Sequence, residues 1–276
     1  MTGTADRGAF GSNPPAAMIA DHSNGLLMYR FPGLTASGGL LHGVFTRKGG
    51  ASKGPFAELN VGMGAGDNPE HVRENRRRIG RALGVETAVF LRQRHGSRVV
   101  VDCDGAQGRP GPEEADAVIT DRTGRLLVIQ VADCQAVILH DPVRKVVANI
   151  HSGWRGSVAD ILGKTVTRMQ SQFGCRTEDL RAGIGPSLGP CCAEFIHYRK
   201  EIPSALWQYR VGDCHFDFWT MSVDQLKAAG VAKRHIEVAG LCTRCRTDLF
   251  FSYRGERTTG RFAVAAGLIP EKAQGR

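Results

Sequence analysis

Residues 126–156 read LLVIQVADCQAVILHDPVRKVVANIHSGWRG. Three short apolar runs lie in this stretch, LLVIQV (126–131), AVILH (136–140) and KVVANI (145–150), and no helical segment separates one from the next. Short runs rich in Val, Ile and Leu and bounded by turn residues are the pattern of strands buried inside a sheet. Asp141 and Pro142 in DPVR give the link between the second and third runs the composition of a hairpin turn. Strands here come in succession instead of alternating one for one with helices. The segment therefore predicts an α+β fold, mixed β-sheets flanked by helices.

Further candidate strands lie at 88–91, 98–102, 116–120 and 235–240, and in RFAVAAGL (261–268). A helix is expected over 69–83, with Asp67 or Asn68 as its cap, Pro69 in its first turn and Gly84 past its end. Ser157 is the expected cap of a second helix, in which Val158, Ile161, Leu162, Val166, Met169 and Phe173 recur at helical spacing up to Gly174. A shorter helix is expected at 222–229. Residues 1–24 are polar and rich in Gly, Ser and Pro and read as a mobile tail. That leaves 25–276 as a single domain, since no linker-like composition interrupts it.

The composition is that of an ordinary globular chain: 276 residues, 42% hydrophobic and 23% charged, enough to bury a sizeable core. A net charge of +9 invites a nucleic-acid reading. The basic residues are mostly dispersed, however, and the densest group, Arg73, Arg76, Arg77, Arg78 and Arg81, sits on the 69–83 helix opposite Val72, Ile79 and Leu83, as a solvated face does. Neither an aromatic platform nor zinc-finger spacing accompanies it, so no nucleic-acid partner is expected. No run approaches the ~18 apolar residues of a membrane span. The first residues lack a basic stretch followed by an apolar one, which points to a cytoplasmic chain whose eight cysteines are reduced and serve as core, metal or catalytic residues.

Three segments place a soft or borderline metal ligand where an apolar strand meets a glycine turn: RQRHGSRVV with His95, VADCQAV with Cys134 and NIHSGWRG with His151. Two histidines and a cysteine suit a three-ligand zinc site with its fourth position open. The same residues suit a Cys–His nucleophile pair, because a thiolate beside an imidazolium is already activated. Both readings stand at this point. Asp133 would face away from Cys134 if the strand continued through it. His235, Glu237, Cys242 and Cys245 superficially match parts of the zinc-deaminase signature, but only four residues separate Glu237 from Cys242 and Leu241 stands where proline belongs. Cys242 and Cys245 form a C-x-x-C that, with Cys191 or Cys192, offers a structural zinc site. Arg155, beside a helix start in HSGWRG, and Arg47, in the glycine loop FTRKGG, are candidate anion forks, although each suits a protein carboxylate equally well.

Taken together, GVFTRKGG, ELNVG, GDNPEHVRENR, QRHGSRV, ADCQAVIL, IHSGWRG, IGPSLGPCC and CTRCRTDLFFSYRGERTTGR resemble the YfiH family, whose members are labelled laccase-like or polyphenol oxidase and also purine nucleoside phosphorylase. The likeness runs in order from about residue 26 to 269. It implies a mixed-sheet fold similar to the catalytic domain of the cytotoxic necrotizing factors, with 25–276 as a single catalytic domain. It also implies phosphorolysis of adenosine, inosine and methylthioadenosine, with adenosine deamination, so that purine nucleosides and phosphate are the expected partners. The resemblance selects His95, Cys134 and His151 as the catalytic and metal-binding trio, holding Zn2+ or, in its place, Cu2+. It carries Arg47, Asn60, Gln93, Arg155, Cys245 and Arg261 over as substrate-binding positions. Two departures from the family pattern stand next to the trio: Gln135-Ala136, where a proline often follows ADC, and Ser152 in place of alanine. Asp133 is the first choice of acid for protonating the purine. Polyphenol oxidation is expected only as a side activity, because four-electron chemistry with O2 needs several coppers and the chain offers one trio without His-x-His ladders. The alternative is a Cys–His hydrolase that edits peptidoglycan precursors.

Overall fold

The computed structural model describes residues 18–102 and 112–269. The expected tail falls mostly outside the described residues, but its last part, Ile19–Ser23, is a strand (β1). After it come β2 (Leu26–Arg30), β3 (Leu40–Phe45), β4 (Thr87–Phe90), β5 (Val99–Val101), β6 (Ala117–Thr120), β7 (Arg125–Val131), β8 (Gln135–Asp141) and β9 (Val146–Ser152). The chain continues through β10 (Arg181–Ile184), the small hairpin β11 (Arg210–Val211) and β12 (His215–Phe216), β13 (Ile236–Val238) and β14 (Phe262–Leu268). Two six-stranded sheets result, ordered β1-β2-β3-β14-β7-β4 and β13-β10-β8-β9-β6-β5. Most neighbours are antiparallel, whereas β4–β7, β5–β6 and β10–β13 are parallel, so both sheets are mixed, as an α+β fold requires.

Side chains on a strand alternate between faces, and both faces here are covered. Leu127, Ile129 and Val131 of β7, with Val264 of β14, pack against Ala136, Ile138 and Val147 of the second sheet in one shared core. Leu126 and Val128 point the other way, onto Ile79 and Leu83 of the helix Pro69–Leu83. Val137 and Leu139 pack outward on Leu162, Val166 and Met169 of the helix Ile161–Phe173. The layers thus run helix, sheet, sheet, helix, which is why the strands of 126–150 read as continuous apolar runs instead of alternating ones. Each aliphatic side chain fully buried this way contributes about 1.5–3 kcal/mol. Asn149 of β9 ties the sheets together, its Nδ2 donating to Leu127 O (3.0 Å) and Val264 O (2.8 Å).

The helix Pro69–Leu83 has its expected ends: Asn68 Oδ1 accepts from Glu70 N and Gly84 adopts the left-handed conformation. Its arginines are partly consumed within the fold. Glu74 pairs with Arg77, Arg78 and Arg81, and Arg76 lies half-buried over the Phe90 ring, donating to Val61 O. The second helix starts differently from the expectation. Ser157 is buried inside a short helix, Trp154–Val158, with its hydroxyl turned back to Gly153 O, and the chain breaks at Asp160. Asp160, at φ +52°, caps Ile161–Phe173 by accepting from Gly163 N. The helix expected from residue 222 begins at Phe218, because the Asp217 carboxylate accepts from both the N–H and the hydroxyl of Thr220. Among the described residues no helix is long and apolar enough to cross a membrane.

Candidate active site

At Val131 the chain leaves the first sheet, and four residues later Gln135 begins β8 in the second. Cys134 is the last residue of that crossing. Asp133 bends it with φ +89°, so the strand does not continue through it, and its carboxylate accepts from Thr243 Oγ1 (2.7 Å), Ser252 Oγ (2.7 Å) and Arg254 N (2.6 Å). Asp133 lines the cavity, but its carboxylate is spent on clamping two loops, which weakens it as first choice of proton donor. His151 lies near the end of β9, directly across from Ala136. His95 stands in the loop between β4 and β5, also left-handed at φ +58°. Left-handed non-glycine residues are uncommon and cluster at functional sites.

Asp116, just before β6, organises this loop and was not picked out by sequence reasoning. Its Oδ1 accepts from Arg94 N (3.1 Å), His95 N (2.9 Å) and His151 Nδ1 (2.8 Å), and its Oδ2 from Gly96 N (2.8 Å). With Nδ1 committed to Asp116, His151 presents Nε2 to the Cys134 thiol. The donor atoms of His95, Cys134 and His151 all lie within 4.8 Å of one another, and the two imidazoles meet edge to face at 4.8 Å. Burial alone would raise the Cys134 pKa, but the positive His151 and the hydrogen bonds from both histidines outweigh it and bring the thiol to about 6. Burial would depress His151, yet the Cys134 thiolate and Asp116 raise it to about 9. Asp116 itself is held low: His151 and the backbone N–H groups overcome its desolvation.

The trio lines a cavity of about 910 Å³. Trp154 and Phe195, in contact at 6.0 Å, give it an aromatic wall, and Arg155 and Arg261 give it cations. Arg155 stacks over Trp154 at 4.3 Å, while Arg261, largely buried, donates to Thr259 O and Gly260 O. Gln93 also lines the cavity, but both ends of its amide bind the backbone of Gln130. The remaining expected substrate residues are placed elsewhere. Arg47 donates to Ala57 O, Thr247 O and Glu256 and stacks on Phe251. Asn60 is fully buried, donating to Asp67 and accepting from Gly62 N and Arg261 N. Cys245 sits with Cys191 and Cys192. All three brace loops beside the cavity without lining it.

The two departures next to the trio have partners of their own. Gln135 donates to Phe218 O and accepts from Ser222, fastening the helix Phe218–Ala228 to β8. Ser152 shares a hydrogen bond with Ser157 (3.0 Å). Gly153 closes the site from behind: a Cβ there would lie 3.1 Å from His95 Cδ2 and 3.3 Å from Cys134 Sγ. The donor set fits a metal, because one thiolate and two imidazoles, one with its tautomer fixed by a carboxylate, are the ligands that zinc or copper takes with a coordination position left over.

The chain is similar to known proteins over most of its length. A family described as multi-copper polyphenol oxidoreductase laccase matches residues 41–269. The purine nucleoside phosphorylase YlmD of Geobacillus stearothermophilus is 34% identical over 251 residues, covering 84% of this chain and 92% of that protein. The purine nucleoside phosphorylase YfiH of Escherichia coli is 34% identical over 235 residues, 81% of this chain and 92% of that protein. The crystal structure of YlmD superposes with a TM-score of 0.81 at 32% identity, covering 91% of this chain and 98% of that one.

Proposed function

Since the chain belongs to the YfiH family, the family described as multi-copper polyphenol oxidoreductase laccase, we propose that it is a zinc-dependent purine nucleoside phosphorylase. Its substrates are adenosine, inosine and methylthioadenosine, and adenosine deamination is its second reaction. The observation that carries the reading is the Asp116–His151–Cys134 chain with His95 at its side, opening into a cavity that also holds an aromatic wall and two arginines. A nucleoside and a phosphate ion need those surfaces: Trp154 and Phe195 offer flat faces to the base, and Arg155 and Arg261 offer planar forks to the phosphate oxygens.

His95, Cys134 and His151 would hold the metal, which when bound would supply Lewis acidity toward a substrate oxygen or nitrogen or activate a water. The protein's part is positioning and charge. Asp116 fixes the His151 ring so that Nε2 cannot turn away. Arg155 and Arg261 set phosphate against the sugar and balance its charge as the glycosidic bond opens, which concentrates the reactants and stabilises the developing charge. With Asp133 engaged in the loops and Glu194 beside Arg254, His197 on the cavity wall is assigned the proton for the departing base. Among the described residues, the two His/Cys clusters able to hold a metal are this trio and a group of four cysteines. Neither is an array of histidines for several coppers, so polyphenol oxidation ranks as a side activity. A Cys–His hydrolase of cell-wall precursors is not favoured, as the relatives are named phosphorylases.

The test is inosine turnover by the metal-loaded protein with phosphate present, followed as hypoxanthine and ribose 1-phosphate. Phosphate-dependent product that disappears in Cys134→Ala supports the reading. No product from the wild type, or undiminished turnover in Cys134→Ala, overturns it.

A further inference from the structure

A second cluster of soft ligands lies away from the trio and shares no residue with it. Cys191 and Cys192 sit in a tight turn in which Cys192 N and Ala193 N both donate to Gly189 O at 2.9 Å. Cys242 and Cys245 flank another, closed by Arg246 N donating to Cys242 O at 3.0 Å. The two turns are laced together by Ser187 N to Leu241 O (3.2 Å) and Thr243 N to Ser187 O (3.0 Å). This brings four thiols from two distant stretches of chain to one point. The Cys245 sulfur is 3.7 Å from that of Cys191 and 3.7 Å from that of Cys192, and all four sulfurs fall within 4.8 Å of one another.

From this geometry we propose that Cys191, Cys192, Cys242 and Cys245 form a structural zinc site with four thiolate ligands. In a tetrahedral site with Zn–S of about 2.3 Å, the edge between two sulfurs is about 3.8 Å, which two of the separations already match. A disulfide needs about 2.05 Å and would have to pull two of these sulfurs together, leaving the other two unpaired. Four thiolates with no water-facing fifth group make a closed site, which is the structural kind. The Cys242 sulfur accepts hydrogen bonds from the backbone N–H groups of Gly189 and Cys245, one from each turn, which fixes its position between them.

The placement says what the ion would do. Leu188 before the first turn, and Glu194 and Phe195 after it, line the cavity, and Leu188 N donates to Asp133 O at 2.9 Å. Thr243, inside the second turn, holds the Asp133 carboxylate. One ion thus fastens both loops that brace the Cys134 crossing. Trp219 packs on the same point: its indole donates to Ser187 Oγ (2.7 Å), and a Cβ added at Gly189 would meet its ring at 2.7 Å and Cys242 Cβ at 3.3 Å.

The experiment uses the full chain carrying Cys134→Ala, which disables the trio, purified under reducing, zinc-replete conditions. Elemental analysis is expected to find one zinc per chain, and Cys245→Ser, an exposed position chosen to spare folding, is expected to lose it. Cobalt put in place of zinc should give the intense near-ultraviolet thiolate charge-transfer band and the visible bands of a tetrahedral four-thiolate site. In the same protein, the four thiols should become reactive toward a thiol reagent only after chelation. Zinc absent from Cys134→Ala, zinc that survives Cys245→Ser, a cobalt spectrum of fewer thiolates, or thiols freed by reductant and not by chelator would each overturn the proposal; the last would identify a disulfide. Because the trio is disabled throughout, none of these outcomes depends on the nucleoside reaction.

Discussion

Replacing Asp116 with asparagine tests how the site is held. The carboxylate takes three backbone N–H groups and the His151 ring on its two oxygens. In Asp116→Asn the amide has one oxygen and one NH2. If the NH2 takes the Oδ2 place it meets Gly96 N; if it takes the Oδ1 place it meets His95 N and His151 Nδ1. Either way at least one buried donor loses its acceptor, at about 1–3 kcal/mol each. The charge that orients His151 is lost as well, and removal of such a carboxylate partner costs about 10–100-fold in metal affinity, or about 1.4–2.7 kcal/mol. We expect chelator competition to show zinc bound at the trio weakened 10–100-fold and inosine turnover lowered in parallel. The Tm should fall by about 2–4 °C per kcal/mol lost. A merely structural role would lower Tm alone. The separating readout is the pH at which Cys134 in the metal-free protein reacts with iodoacetamide, which should move up toward the ordinary thiol value as His151 loses its support. Wild-type zinc affinity together with an unmoved thiol midpoint would refute the reasoning.

Three further outcomes are expected. In the metal-free wild type, Cys134 should alkylate with a midpoint near pH 6. Because its pKa is depressed by folding and that of His151 is raised to about 9, the pair stabilises the fold most between those values, losing the thiolate part as pH falls through about 6 and the imidazolium part as pH rises through about 9; a midpoint above 8 would remove the ion pair. Gly153→Ala should fold yet bind zinc at least about tenfold less tightly, as its Cβ crowds His95 and Cys134, and unchanged affinity measured by chelator competition would show that the trio has slack. Arg47→Ala should cost about 1–3 kcal/mol in urea unfolding because it leaves Ala57 O and Thr247 O without their donor, Glu256 keeping Thr259 and Ser252 N, with KM for phosphate unmoved, whereas Arg155→Ala should raise KM for phosphate at wild-type stability; the reverse pattern would place the anion site in the Arg47 loop.

What the sequence made legible was local. The runs at 126–150 became β7, β8 and β9 because their continuous apolar stretches and turn chemistry sit within a few residues, and Pro69–Leu83 ended where Asn68 and Gly84 said it would. Ser157 misled because a serine that folds back onto its own turn looks the same in sequence as one that caps. Asp116 was invisible for a different reason. It faces His151 only because β6 pairs antiparallel with β9, putting Ala117 opposite Ile150, and no spacing along the chain encodes that register. Arg47 and Asn60 fit family positions, yet Arg47 donates to Thr247 O and Glu256 and Asn60 accepts from Arg261 N, partners brought in from far along the chain. Their types announced polarity, and only the fold could say which partner each polarity meets.

The sheet crossing explains why a reactive thiol stands where it does. Sheets pack about 10 Å apart, and the four Cα steps from Val131 to Gln135 reach at most about 14 Å when extended. A link that short leaves the seam between the sheets only at its mouth, so its last residue, Cys134, is held at the edge of the shared core with no freedom to sink or to drift into solvent. The left-handed Asp133 costs on the order of 1–3 kcal/mol, and three hydrogen bonds from Thr243, Ser252 and Arg254 N hold it in place. Those partners belong to the loops that form the cavity wall, and the first of them lies inside the turn between Cys242 and Cys245. Thiol placement, wall placement and the four-cysteine cluster are therefore one mechanical unit: a change that loosens the cluster should reach Cys134 through Thr243 and Asp133 before it reaches His151, which β9 and Asp116 hold independently.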